Sequence, residues 1–384
     1  MRTLALLQSL AFAAIALVAA QGALAGPYLQ TNLVSDIPGL AIITDPALRN
    51  PWGVSHSPTS PIWVSDQVTN LSTLYAVTAA GVTKNPLEVV IPQTDAGPQG
   101  PTGQVFNTFI ASNPSAFQVN GTAANFIFAN LNGTISARSS GASAQIVAPS
   151  TGGVYTGLAI SSGPTPLLFA ANGAQDRIDV FDSAFANVTS QFTGKFVDPN
   201  LPAGLVPFNV QNINGSIYVT YALAGRLAQI DAPEGQGAVA IFDASGNFIK
   251  QVISDSKLAS PWGIALAPPS FGVFGGDLLV GNFSFVASEI NAFDPITGAF
   301  IGTIAIDVGL HEPGGLWALN FGTGGMNGDP NTLFFTDGID GEQHGLFGSL
   351  TPIPEPSSLA LLAAAMGIFG AIRVRRRSGR RCFG

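Results

Sequence analysis

A short word recurs six times along this chain: a small or turn-forming residue that leads into apolar ones. It reads Pro51-Trp-Gly-Val-Ser55, Thr102-Gly-Gln-Val-Phe106, Thr156-Gly-Leu-Ala-Ile160, Pro207-Phe-Asn-Val-Gln211, Pro261-Trp-Gly-Ile-Ala265 and Gly314-Gly-Leu-Trp-Ala318. Anchored on Gly53, Gly103, Gly157, Asn209, Gly263 and Gly315, the copies are 50, 54, 52, 54 and 52 residues apart. A period of this length marks one supersecondary unit copied along the chain, each copy covering the apolar face of the next. The units begin near residues 50, 102, 156, 207, 261 and 314.

Each unit carries a second apolar run: Ile62–Ser65, Phe126–Ala129, Leu167–Ala171, Ile217–Thr220, Asp277–Gly281 and Thr332–Thr336. A third run ends in an aromatic and a turn residue, as in Ile178-Asp-Val-Phe-Asp182, Ala238–Asp243 and Glu289–Asp294. A fourth is visible at Leu87–Ile91, Phe248–Ile253 and Phe300–Ile306. Four short strands per unit, jointed by Gly, Asn and Pro, predict an all-β, six-bladed β-propeller over residues 26–352. The sixth unit runs out after three strands at Leu346–Leu350. The segment Tyr28–Val34 precedes the first unit and is expected to supply its fourth strand, which closes the ring and removes a free edge. A sandwich gives no reason for six similar units, and solenoid coils are far shorter.

Charge narrows the partners. Between residues 26 and 356 stand eight basic residues and all 23 acidic ones, a balance of 8 − 23 = −15. Such a body is repelled by nucleic acid and by anionic membrane surfaces. The single cysteine, Cys382, lies at the far C-terminus, so the body has no thiol for disulfides, thiolate catalysis or metal ligation. Its stability has to come from core burial, for which a domain of this size is ample.

The two ends read differently from the body. Met1-Arg2, the apolar run Leu4–Ala20 and Ala23-Leu-Ala25 have the order of a secretory signal peptide, residues 1–25, cut after Ala25 with Ala23 and Ala25 as its small residues. At residues 353–384, Pro354-Glu355-Pro356 is followed by the apolar run Leu359–Ile372 and by Arg373, Arg375, Arg376, Arg377, Arg380 and Arg381. The prolines break any continuing ladder. The 14 apolar residues span roughly 21 Å as a helix, short for a bilayer core. The arginines hold that end in the cytoplasm. These three ordered parts resemble the PEP-CTERM sorting signal. The resemblance implies a short transmembrane sorting helix, the only membrane attachment of the chain. It implies an exported protein held at the inner membrane until an exosortase cleaves near the Pro-Glu-Pro and releases it to the cell surface or extracellular space. The body words Asn32–Asp36, Asn50–Gly53, Leu71–Tyr75, Thr332–Thr336 and His344–Gly348 also resemble an uncharacterised bacterial family, many of whose members carry such tails.

Chemistry has one positional candidate. The residue after each second strand is Asp66, Asn130, Asn172, Tyr221, Asn282 and Asp337 in turn. In a propeller, equivalent positions lie at the same end of the ring. Five Asp and Asn oxygens there would suit one hard cation such as Ca²⁺, and the set resembles the central metal site of six-bladed lactonases. The same residue types also end strands by bonding their own backbone. His56, His311 and His344 form no zinc spacing, and the chain has no Gly-x-Ser-x-Gly elbow. Trp52, Trp63, Trp262 and Trp317 fall in repeat-equivalent or adjacent strands, where core packing or a carbohydrate-stacking platform are both open. Two functions follow. One is a non-enzymatic surface or matrix propeller that binds extracellular polysaccharide or a surface protein. The other is a Ca²⁺-dependent, lactonase-like hydrolase.

Overall fold

The computed structural model describes residues 28–353 other than 96, 255 and 256. The signal segment with Ala23 and Ala25, and the tail from Pro354 through Arg377 and beyond, lie outside the described residues. Six sheets follow one another along the chain. Their first strands are Pro51–Ser55, Pro101–Phe106, Tyr155–Ile160, Leu205–Ile213, Pro261–Leu266 and Leu316–Phe321. Each packs against the first strand of the next sheet, and the sixth packs back on the first, so the six form a closed ring around one axis. This is the six-bladed propeller read from the repeat.

In the first five blades the strands are antiparallel and run outward in sequence order, as in Pro261–Leu266, Leu278–Asn282, Glu289–Phe293 and Phe300–Ala305. Blades are covered on both faces, so the second strands read as unbroken apolar runs. Every residue of Ile62–Asp66, Phe126–Asn130, Leu168–Asn172, Leu278–Asn282 and Leu333–Asp337 is buried. Aromatic pairs seal neighbouring blades: Trp63 of blade one stacks on Phe126 of blade two with ring centroids 3.9 Å apart. Burying one such side chain contributes about 1.5–3 kcal/mol.

The repeat glycine is a matter of distance. A Cβ built on Gly53, Gly103, Gly157 or Gly263 falls within 3.0 Å of an atom of the next inner strand, nearer than real Cβ atoms stand. The inner strands therefore pack backbone to backbone around the axis. The strand register corrects the last anchor. Pro51, Pro101, Tyr155, Pro207, Pro261 and Leu316 pair with the final residue of their second strands or its equivalent. Two residues on from each stand Gly53, Gly103, Gly157, Asn209, Gly263 and Ala318. Ala318, not Gly315, is thus the sixth copy; both words contain small residues, and only the ladder separates them.

Closure is as expected. Tyr28–Ser35 lies beside Leu346–Pro352 as the fourth strand of the sixth blade, with the two-residue strand Ile43–Thr44 parallel to it at the edge. Ser35 Oγ donates to the Gly345 carbonyl at 2.7 Å, and the Gly345 N–H donates to Asp36 Oδ1 at 2.9 Å. Two outer strands depart from the pattern. Blade one has Gly81–Lys84 and then only Val89–Val90 where Leu87–Ile91 was expected. Blade three has three strands, and its outer edge is covered by a short helix, Thr189–Phe192.

Candidate functional site

The axis has two ends. The inner strands start, and the second strands finish, at one of them, which contains the Asp/Asn positions. It is filled. Trp52, Phe208, Trp262 and Trp317 come from the same inner-strand position of blades one, four, five and six, and Phe283 joins them. Trp52 stacks on Trp317 at 3.5 Å, Phe283 on Trp317 at 4.1 Å, and Trp262 meets Trp317 edge-on at 5.6 Å. Blades two and three place Thr102 and Thr156 there instead. Each hydroxyl crosses to the next blade, to the Tyr155 carbonyl at 2.8 Å and the Phe208 carbonyl at 2.6 Å. All four tryptophans are at most 4% exposed. Packing is their role, and the carbohydrate-stacking reading falls with their burial.

Over this plug lies Arg226, the first residue of the short helix Arg226–Ile230 that follows the second strand of blade four. Its guanidinium sits 4.2 Å from the centre of the Phe283 ring and pairs with Glu342 of blade six. Burial lowers its pKa to about 10. Glu342 Oε1 accepts from Asn50 Nδ2 at 3.1 Å, and Asn50 Oδ1 accepts from the Trp317 indole at 3.0 Å. No repeat or motif points to this relay, because its members come from unrelated connections of blades one, four and six.

The five Asp and Asn side chains do occupy equivalent register positions, but they do not meet. Asp66 Oδ2 accepts from the Thr73 N–H at 3.1 Å. Asn130 donates to Thr134 and Ser136 of its own blade. Asn172 donates to Asp179 at 2.8 Å. Asn282 accepts from the Ala259 N–H at 3.0 Å and Asp337 from the Gly315 N–H at 2.7 Å, each bond fixing the loop that leads into an inner strand. Strand alternation separates them further. Asp66 shares a face with Ile62 and Val64, which pack with Phe334 and Phe347 of blade six. Asn130 shares one with Phe126 and Phe128, which pack on Trp63 of blade one. The sheet of blade one lies between the two. The single shared Ca²⁺ ion of the sequence expectation has no common ligand set, and the lactonase-like reading loses its basis. Among the described residues, no three His, Cys, Asp or Glu side chains gather in a way that could hold a metal ion.

Burial dominates the electrostatics of these carboxyls. It raises Asp66 well above the usual carboxylate range, with the Thr73 hydrogen bond acting against it. It pushes Asp337 up to about 7; the Gly315 hydrogen bond opposes the shift and the charge of Glu312 adds to it. Asp337 is therefore a protonated group of the fold at mildly acidic pH. Two of the histidines tie loops to carboxylates: His311 Nδ1 lies 2.9 Å from Asp340, and His344 Nδ1 lies 2.7 Å from Asp36.

The other end of the axis is open. A cavity of about 440 Å³ lies where the inner strands finish, with Trp262 among its lining residues. Its lining combines aliphatic groups with Ser55, His56, Gln104, Gln211 and Asn320, and contains no Asp, Glu, Lys or Arg. His56 Nε2 lies 2.9 Å from Asn320 Oδ1, which ties blade one to blade six at the rim. Ser55, Gln211 and Asn320 share one repeat position, two residues beyond the anchor, where the other blades have Val105, Ala159 and Ala265. Anchoring the sixth unit on Gly315 conceals this, since it moves Asn320 out of line. Chemically the cavity offers neutral donors and acceptors beside apolar walls, the makings of a binding site.

No protein-family model matches the chain. An uncharacterised protein of Acanthamoeba polyphaga mimivirus is 28% identical over 329 residues, 83% of this chain and 78% of that protein. A second uncharacterised protein of the same virus is 32% identical over 164 residues, 41% of either chain. Among solved structures, virginiamycin B lyase from Staphylococcus aureus superposes with a TM-score of 0.50 at 14% identity, over 85% of this chain and 99% of that one. That likeness shows the six-bladed fold.

Proposed function

We propose that the chain is an exported, non-enzymatic propeller that binds a ligand at the open end of its axis. On this reading it is secreted after cleavage at Ala25, held at the inner membrane by its tail, and released at the Pro-Glu-Pro by an exosortase to act at the cell surface or in the extracellular matrix. The observation that carries the binding role is the lining of the open cavity, whose polar groups are amides, hydroxyls and one imidazole. Such a surface holds a ligand by hydrogen bonds and apolar contact. The export route is supported by the ordered signals at the two ends of the sequence, Ala23–Ala25 and Pro354–Arg377.

Processing is tested by intact-mass measurement of the released protein from a host that contains the sorting enzyme. The expected product begins at or near Gly26 and ends between Pro354 and Pro356. Retention of residues 359–384 in the released protein would overturn the reading. Replacing Arg375, Arg376 and Arg377 with Gln should leave the chain misplaced or unprocessed, since the positive charges fix the topology. The melting temperature of the body should not change.

A further inference from the structure

We propose that the open end of the axis takes an uncharged, extended peptide segment of a partner protein, bound through strand edges and amide side chains. This rests on the open end being the binding site and goes further by naming what binds there.

Charge selects first. The lining has no Asp, Glu, Lys or Arg, while the body around it carries eight basic residues against 23 acidic ones. An anionic ligand is repelled by the whole body, and a cationic one, though drawn toward that body, finds no carboxylate inside the cavity to pair with. Neutral ligands remain. Ring faces select next. Trp262 lines the cavity but is only 3% exposed, because its indole packs into the aromatic plug. A sugar ring finds no indole face to lie on there, and the other aromatic of the lining, Phe106, is half-buried against Phe126.

Hydrogen-bonding groups then favour a peptide. Each inner strand is the last strand of its sheet on the axial side, so one edge of its N–H and C=O groups lies outside the ladder. Those edges already accept amide donors from neighbouring blades. Gln104 Nε2 donates to the Gly53 carbonyl, Asn209 Nδ2 to the Trp262 carbonyl and Asn212 Nδ2 to the Ile160 carbonyl, each at 2.8 Å. A peptide brings the same N–H donors, with C=O acceptors alternating between them. Ser55 Oγ and Gln104 Oε1 are buried and have no hydrogen-bond partner among the described residues. The Gln104 amide cannot turn round, because its Nε2 already donates to the Gly53 and Trp63 carbonyls, so Oε1 is a fixed acceptor. The cavity volume, about 440 Å³, suits a few residues of chain and not a folded domain.

The test uses the full-length chain in mild detergent. It is offered three sets of immobilised probes: heptapeptides of Gly, Ala, Ser, Thr, Asn and Val; the same peptides with two Asp or two Lys; and neutral gluco- and galacto-oligosaccharides. The expected result is retention of the neutral peptides alone. The Gln211→Ala, Asn320→Ala double variant should weaken that binding roughly tenfold, whereas Leu310→Ser, an exposed residue of the connection that leads into the start of the sixth inner strand, should not change it. Binding of oligosaccharides that the double variant abolishes would overturn the peptide class and leave the open end as the site. Peptide binding that the double variant does not affect would overturn the site as well. A preference for charged peptides, or retention of no probe, would also sink the proposal. The comparison of neutral with charged peptides needs only the unmodified chain, so it stands even if the double variant does not fold.

Discussion

Asn209 Nδ2 donates to the Trp262 carbonyl oxygen at 2.8 Å, joining blade four to blade five at the position where blades one, two, three and five carry glycine. The side chain fits because blade three has none: a Cβ on Gly157 would fall on Asn209 Oδ1 and Cα. One residue type in one blade is therefore permitted by the absence of a side chain in its neighbour.

That relationship predicts a coupled pair. Gly157→Ala should destabilise the fold by roughly 1–3 kcal/mol, the range for overpacking a close-packed site. Asn209→Ala should cost about 1–3 kcal/mol, because it leaves the buried Trp262 carbonyl without its donor. Together they should cost less than the sum, since removing the Asn209 side chain frees part of the space that the new methyl needs. Gly103→Ala should show no such relief, because its nearest contacts are backbone atoms of Gly157 and Leu158. Denaturant melts of the three single variants and of the two doubles with Asn209→Ala measure both differences, and additivity of the first pair would refute the packing account.

Closure gives the second prediction. Tyr28 packs on Phe271 at 4.6 Å, and its hydroxyl donates to the Phe271 carbonyl at 2.8 Å. Val34 is fully buried. Deleting residues 28–34 removes the fourth strand of the sixth blade and bares its apolar face, which should lower stability by several kcal/mol. An unchanged melting curve would mean that the strand is not needed to close the ring.

The third prediction concerns pH. The Asp337 carboxyl titrates near 7 in the folded chain, against an ordinary value of 3.8. The unfolded chain loses this proton first, so the stabilisation is complete below the ordinary value and declines as pH rises toward 7. About 4 kcal/mol is at stake over those roughly three pH units. Asp337→Asn removes the titration and keeps an oxygen for the Gly315 N–H, as Asn282 does for Ala259. The variant should lose less stability than the natural chain between pH 4 and 7 and be the more stable of the two at pH 8. A residual slope of the same sign should remain from Asp66, whose carboxyl is also raised by burial. Equal slopes in the two proteins would show that Asp337 is not the titrating group.

Much of the fold was legible because a propeller writes its period into the chain. The second strands could be read because both of their faces are buried, which makes Ile62–Asp66 and Leu333–Asp337 continuous apolar runs. The outer strands were harder. Partly exposed segments such as Gln145–Ala148 carry a weak apolar signal, and the outer edge of blade three is covered without a strand at all. The Asp/Asn pattern was real as a position and misleading as a site. A repeat shows that residues are equivalent, but not which way their side chains point.

By itself the sequence determined the number of blades, the strand that closes the ring and the acidic balance of the body. Each of these is a property of order and count along the chain. Only the tertiary structure decided where chemistry can occur. It turned Asp66 and Asn130 to opposite sides of one sheet, closed one end of the axis with Trp52, Trp262 and Trp317, and left the other end open around Gln211 and Asn320. The reason is that period fixes which residues are neighbours around the ring. Side-chain direction, and the space left at the axis, depend on how six separately coded strands meet at one place.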